Sequence, residues 1–165
     1  MCKTWSCIVS KEKTVYSHEL SDSHEDIISK HNLKERSDSD LIQDWARVEI
    51  CPKEGNDIFS DIETWALNVD ESIKPIWWSE EHEQVARYAL KGFACASIHN
   101  NKKIDSLNNG RHWLNSSVVE RMDGSSVVER MYSSVVKCMD GSSVVERMDG
   151  NAIIIDQKNS KIIVT

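Results

Sequence analysis

Residues 116–150 read SSVVERMDGSSVVERMYSSVVKCMDGSSVVERMDG, one short phrase written four times. The units begin at Ser116, Ser125, Ser133 and Ser142, so a unit is 8 or 9 residues and two units make 17. Two degenerate units continue the pattern, NAIIIDQKN from Asn151 and SKIIVT from Ser160. A tandem repeat of this kind is typical of proteins built from stacked structural units.

The unit length favours a β-solenoid in which two units form one coil. Each unit supplies a short strand, SSVVE, and a turn, RMDG, whose Asp-Gly pair suits the positive φ angles of tight turns. The alternative is an antiparallel meander that reverses at each Asp-Gly. The segment RMYSSVV lacks that dipeptide, which favours the solenoid. We therefore expect residues 98–165 to form a short solenoid of 8–9-residue repeats.

Two units per coil fix which side chains stack between coils. The expected columns are Val119 over Val136 and Ile154, Val128 over Val145 and Ile163, Met122 over Met139, and Met131 over Met148. Glu120 should face Lys137, which is a favourable pair across neighbouring strands. Glu129 should face Glu146, which is unfavourable unless the adjacent arginines bridge the two carboxylates.

The N-terminal part, residues 1–97, predicts an α+β domain over an antiparallel sheet. Alternating residues indicate a hairpin of 5–10 and 14–17, and two further strands in ARVEICP and TWALNVD. Ser23 can cap a helix that extends to His31, where we expect His24 and His31 to lie on the surface. A weaker helix start is SDSDLIQDW, with Asp38 or Asp40 as its cap and Leu41, Ile42 and Trp45 buried.

The segment KPIWWSEEHEQVARYALKGF predicts the longest helix. Ser79 can cap it, and the acidic first turn complements the positive end of the helix dipole. We expect a buried stripe of Val85, Tyr88, Ala89 and Phe93, with Gly92 near the end of the helix. The two tryptophans before the helix either pack at its start or form an aromatic patch. With the acids at the start of the helix, they are the candidate partner-binding residues: Trp77, Trp78, Glu80 and Glu81.

Composition narrows the possible functions. The negative charge of the chain lies in residues 1–98, which hold 11 basic and 19 acidic residues. Residues 99–165 hold 9 basic and 8 acidic residues, so they are nearly neutral and the whole chain has a net charge of −7. An acidic domain argues against nucleic-acid binding and suits a basic partner. No apolar run is long enough to span a bilayer, and the N-terminus lacks the apolar segment of a signal peptide. We expect a cytoplasmic protein that does not bind membranes.

The sequence nominates no catalytic residue, metal site or cofactor. The six histidines match no ligand spacing, and HEDIISKH and EEHEQ do not complete an H-E-x-x-H motif. The stretch DSHED could seat a general base beside a histidine, but nothing in the sequence marks a Ser or Cys there as a nucleophile. Calcium-binding nonapeptide repeats carry glycines where this repeat has Ser-Ser, and this repeat has at most one Asp per unit. The five scattered cysteines indicate reduced thiols: Cys2, Cys7, Cys51, Cys95 and Cys138.

The last two repeat units are more apolar than the others. Isoleucine and valine replace the Val-Val pairs, and an uncovered strand there would invite pairing. We therefore predict self-association through these positions, with a symmetric homodimer as the first choice. The candidate interface residues are Ile153, Ile154, Ile155, Ile162, Ile163 and Val164.

Four N-terminal stretches, CKTWSCIVSKEKTVY, DSHEDIISKHNL, WARVEICPKEGN and TWALNVDESIKPIWW, precede the tandem SSVVERM units. Together they resemble a family of small phage and prophage proteins with an α+β head and a tail of short, variable repeats. The resemblance covers nearly the whole chain and supplies no catalytic residues. It implies a phage or mobile-element origin, and small acidic phage proteins are often host-takeover or anti-defence factors.

These observations predict a non-enzymatic interaction protein. Its acidic head would bind a host or defence-system protein as an inhibitor, in the manner of an anti-CRISPR, and its repeat tail would mediate oligomerisation. One alternative is a protein or enzyme that acts on a small molecule such as a nucleotide signal. The other is a structural component of the virion.

Overall fold

The computed structural model of the chain describes residues 5–34, 44–69 and 74–163. The chain divides into two compact units, Met1–Ala94 and Cys95–Thr165, and each is described by itself. The weaker helix start predicted at Asp38 or Asp40, with Leu41 and Ile42, lies outside the described residues. Val164 of the predicted interface and Cys2 lie outside them as well.

The first unit contains a four-stranded antiparallel sheet in the order β2-β1-β3-β4. The strands are β1 Trp5–Ser10, β2 Val15–Tyr16, β3 Trp45–Cys51 and β4 Ala66–Val69. The predicted N-terminal hairpin is confirmed, because β1 and β2 pair antiparallel around a polar turn in which Lys13 has a positive φ of 65°. β1 is buried along its whole length and pairs with both β2 and β3, so it is one of the two inner strands of the sheet.

Helix α1, His24–Lys30, packs on one face of this sheet. Ser23 caps it by accepting a hydrogen bond from the backbone N–H of Asp26, as the sequence predicts. Ile27 is buried in a cluster with Ile8 and Trp45. The expected surface position of His24 is wrong: its ring is buried, with Nε2 3.4 Å from the carbonyl oxygen of Val48, because the first turn of the helix lies against β3.

Helix α2, Glu80–Ser97, comes after a 3-10 turn at Ile62–Thr64 and β4. Its buried residues are His82, Ala86, Leu90 and Ala94. The predicted stripe of Val85, Tyr88, Ala89 and Phe93 is therefore wrong, and Tyr88 is 84% exposed. The helix also continues beyond Gly92.

Polar contacts on both sides of the buried stripe fix the rotation of α2. On one side Glu81 forms an ion pair with Lys13. On the other side Arg87 donates to the carbonyl oxygen of Trp65 at 3.3 Å, and Lys91 pairs with Glu63. Small side chains such as alanine let a helix approach its neighbour closely, which explains why the alanine stripe is the buried one.

The second unit is a β-solenoid of about four turns over residues 98–162. All of its strand pairs are parallel, which confirms the solenoid and excludes the meander for these strands. Its strands are β5 Ile98–Asn100, β6 Lys103–Asn115, β7 Val118–Tyr132, β8 Val135–Met139, β9 Val144–Val145, β10 Met148–Asp149, β11 Ile153–Gln157 and β12 Lys161–Ile162. The first coil, in β6, precedes the sequence repeat.

The stacking register agrees with the predicted columns at all but one position. Val119 pairs with Val136, and Val136 with Ile154; the methionine pairs 122–139 and 131–148 also form. Val128 pairs with Val145 as expected, but Val145 pairs with Ile162 and not with Ile163. Three residues (158–160) join β11 to β12, whereas four residues (140–143) join β8 to β9 in the preceding coil. The shorter turn shifts the last strand by one position.

Serines and left-handed residues form the corners of the coils. Ser116 and Ser133 have φ angles of 48° and 44°, and Gly124 and Gly141 have angles of 62° and 68°. The second serine of each repeat unit is buried. At one corner Ser134 Oγ donates to the carbonyl oxygen of Tyr132 at 2.8 Å and accepts from the Ser117 N–H at 3.0 Å. The second serine of the unit thus supplies the acceptor for the Ser117 N–H and adds a second donor to the Tyr132 carbonyl, which also accepts from the Ser116 N–H at 3.0 Å.

Candidate functional site

His82 holds the first turn of α2 in place. Among the described residues of this helix, it is the only buried side chain that can titrate. The backbone N–H of Ser79 donates to His82 Nδ1 at 3.2 Å, so Nε2 carries the proton and donates to the carbonyl oxygen of Lys11 at 3.0 Å. Ser79 Oγ lies 2.8 Å from Nδ1. This bridge ties the helix start to the turn between β1 and β2.

The two tryptophans predicted as a binding patch pack around that histidine. The ring centroids of Trp77 and Trp78 lie 5.0 and 5.6 Å from the His82 ring, and 6.0 Å from each other. Both side chains are half-buried. Trp78 Nε1 is buried and has no hydrogen-bond partner among the residues that the structure describes. Their geometry fits the packing alternative, in which the aromatic rings hold the start of the helix.

The two predicted acidic residues are exposed on the first turn of α2. Glu81 pairs with Lys13, and the hydrogen bond from that lysine holds the pKa of Glu81 below its usual range. Gln84 Nε2 lies 3.5 Å from Glu80 Oε1. The first turn of α2 therefore presents two exposed carboxylates, and Glu80 lies next to Gln84 of the second turn.

An open depression of about 520 Å³ lies beside these carboxylates. It is formed between strand β2 and the outer face of α2, and its lining is largely apolar. The lining residues are Lys13, Val15, Glu81, Gln84, Val85, Tyr88 and Ala89. Sequence reasoning missed this surface because it assigned Val85, Tyr88 and Ala89 to the core. The signal available in the sequence was the second stripe at helical spacing, His82, Ala86, Leu90 and Ala94.

The last coil of the solenoid carries three exposed isoleucines. Ile153 and Ile155 are 51% and 65% exposed, and Ile163 is 37% exposed. Ile154 and Ile162 are half-buried, and Ile154 packs against the interior cluster of valines and methionines. The structure thus separates the predicted interface residues into outward and inward sets.

Charged residues on the solenoid surface are organised in pairs between coils. Lys137 Nζ lies 2.9 Å from Glu120 Oε1, which confirms the expected pair. Arg111 Nε lies 2.6 Å from Glu129 Oε1, so an arginine of the first coil partly compensates the Glu129–Glu146 contact. Burial and the neighbouring Glu129 raise the pKa of Glu146. These contacts stabilise the stacking of the coils.

Two histidines of the first coils form a pair that the sequence did not predict. His99 Nε2 lies 3.2 Å from His112 Nδ1, and His112 Nε2 lies 2.9 Å from the carbonyl oxygen of Asn109. Because a carbonyl can only accept, His112 Nε2 carries a proton and Nδ1 accepts from His99. Burial and the adjacent His112 lower the pKa of His99 to about 4, and burial lowers the pKa of His112.

The described residues contain no group of three or more His, Cys, Asp or Glu side chains that could hold a metal ion. Burial raises the pKa of Cys7 to about 12 and also raises the pKa of Cys51, so neither thiol is activated as a nucleophile. Within the described ranges, no helix combines the length and the apolar character required to cross a bilayer. Comparisons with protein-family models, curated proteins and solved structures found no match to this chain.

Proposed function

We propose that the protein is a non-enzymatic interaction protein whose first unit binds another protein through the surface at the start of α2. The observation that supports it most is the apolar strip of exposed Tyr88 with half-buried Val85 and Ala89, on the same helix as the exposed carboxylates of Glu80 and Glu81. Exposed aromatic and aliphatic side chains bordered by charge are typical of protein-binding surfaces. From the resemblance to phage proteins we infer the biological role, which is host takeover or inhibition of a defence system. The partner would then be a host or defence-system protein.

Affinity capture from bacterial lysate, together with rebinding of the purified partner, tests this function. A captured protein should bind the intact chain in solution, and Glu80→Lys should weaken that binding at least about tenfold, or about 1.4 kcal/mol. Glu54→Lys is the matched control, since Glu54 is an exposed acid of the same unit in the turn that follows β3 and does not line the depression. A partner that binds both variants equally well contradicts the assignment of the surface.

Self-association through the solenoid is the second part of the proposal. It is supported by the outward-facing Ile153 and Ile155 of β11, which would add an apolar contact to any pairing of strand edges. We expect light scattering to report a dimer at micromolar concentration, and Ile155→Lys to shift the mass to that of a monomer. Leu20→Lys, which changes a 50% exposed leucine of the first unit, should leave the dimer intact. A monomeric mass for the unchanged protein contradicts self-association.

The small-molecule alternative has one observation in its favour. The volume of the depression at α2 falls in the range of ligand pockets. Its wall residue Tyr88 is 84% exposed, whereas a ligand pocket buries most of the surface of its ligand. A nucleotide panel in a thermal-shift assay separates the two functions, since only a ligand-binding protein would gain stability that rises with the logarithm of the ligand concentration above its Kd.

A further inference from the structure

Helix α2 has two apolar faces, and only one of them is covered within the described part of the first unit. The inner face consists of His82, Ala86, Leu90 and Ala94, which are buried. The outer face has the spacing Val85, Tyr88, Ala89 and Gly92, which places these residues on neighbouring turns. A Cβ added at Gly92 would meet no atom within 4 Å, so this face remains open at its far end.

The outer face has the form of a groove and not of a convex ridge. Strand β2 contributes Val15 opposite the helix, and the Lys13–Glu81 ion pair closes one end. Val85 and Ala89 are half-buried in the groove, while the ring of Tyr88 stands in solvent. A groove between a strand and a helix, with apolar residues at helical spacing, suits a second helix laid along α2.

The charges around the groove favour a basic occupant. Glu80 is exposed one turn before the lining residue Gln84, and Glu12 is exposed in the turn between β1 and β2, next to the lining residue Lys13. Of the positive groups nearby, Lys13 pairs with Glu81 and Arg87 pairs with Glu83, whereas Lys11 is exposed in the same turn as Glu12. The unit as a whole carries the negative charge of the chain, since residues 1–98 hold 11 basic and 19 acidic side chains. Anionic lipid surfaces and nucleic-acid phosphates would be repelled.

We propose that this groove binds a basic amphipathic helix of a partner protein, with the apolar side chains of that helix placed against Val85, Tyr88 and Ala89. The proposal rests on the proposed function and specifies the chemistry of the partner. The partner's lysines or arginines would lie over Glu80 and Glu12. Apolar contact would supply most of the affinity, and charge would orient the helix and speed its association.

The test uses the full chain and a fluorescein-labelled peptide of leucine and lysine arranged at helical spacing. Its control peptide has glutamate in place of every lysine. Fluorescence anisotropy should show binding of the basic peptide and at least about tenfold weaker binding of the acidic one. Tyr88→Ala should weaken the basic peptide about tenfold without unfolding the protein, because this ring is mostly in solvent.

A second variant separates apolar contact from general attraction between opposite charges. Val85→Asp adds a negative charge, which strengthens long-range attraction for a basic peptide but removes the apolar contact in the groove. The proposal requires that Val85→Asp weakens binding despite the added charge, and that Leu20→Ala has no effect. Equal binding by all variants, or tighter binding by Val85→Asp, overturns it. If the peptide fails while a captured partner still depends on Glu80, the proposed function stands and only this inference is lost.

Discussion

The corner at Gly124 provides a strict test of the solenoid register, because the neighbouring coil leaves no room for a side chain there. A Cβ at this position would lie 2.2 Å from the carbonyl oxygen of Asn108 and 3.1 Å from Asn109 Oδ1. The residue also has a φ of +62°. Left-handed backbone costs alanine about 1–2 kcal/mol, and an overpacked contact adds about 1–3 kcal/mol. We therefore expect Gly124→Ala to lower the free energy of unfolding by about 3 kcal/mol.

Gly55 is the matched control, since it has a φ of +84° but no atom within 4 Å of an added Cβ. Gly55→Ala should lose only the backbone term, about 1 kcal/mol. Thermal unfolding monitored by circular dichroism should therefore give a decrease in Tm of about 6–12 °C for Gly124→Ala and of about 2–4 °C for Gly55→Ala. Hydrogen exchange should locate the first loss of protection in the coils on either side of Gly124. Equal effects of the two substitutions would refute the register at this corner.

Three further predictions concern the solenoid interior. In urea titrations, Val136→Ala should lower the free energy of unfolding by about 2–3 kcal/mol, because Val136 is fully buried. Val135→Ala should lower it by clearly less, because Val135 is half-buried and points outward. Ser134→Ala should cost about 1–3 kcal/mol in the same assay, because the buried Ser117 N–H loses its acceptor. The fold favours the neutral forms of His99 and His112, because it lowers the pKa of both side chains. The stability that the neutral pair contributes is therefore complete above pH 6.5, the usual pKa of histidine, and is lost as the pH falls towards the pKa of His99 at about 4. Replacing both histidines with glutamine should remove that part of the pH dependence, by about 1–2 kcal/mol after allowance for solvent screening.

The solenoid could be predicted from the sequence because its repeat encodes several structural requirements at once. The double step of 17 residues matches one coil, and the alternation of Val118 outward and Val119 inward matches the side-chain period of a strand. Ser-Ser and Asp-Gly supply the corners. The first coil could not be predicted in the same way, because residues 103–115 do not share the repeat of the later coils and are ordered by pairing with β7.

The burial of α2 could not be predicted, because the helix offers two apolar stripes and sequence periodicity does not choose between them. Size alone favours the stripe with Val85, Tyr88 and Phe93. Contacts distant in sequence decide otherwise: His82 binds the carbonyl oxygen of Lys11, and Arg87 binds that of Trp65. The candidate site was located only in part for the same reason. Glu80 and Glu81 are at the exposed surface, whereas the apolar residues beside them were assigned to the core.

Both candidate surfaces lie where the sequence departs from the pattern around it. On α2 the departure is a second apolar face on a helix that needs only one. In the last coil it is the replacement of a charged row, since Ile155 continues the column of Glu120 and Lys137. Local departures that a fold does not require are where function is expected. If the proposed groove binds a basic helix and the proposed contact of the last coil forms a dimer, one dimer would hold two partners, which would strengthen binding to a paired target by raising the effective concentration of the second site.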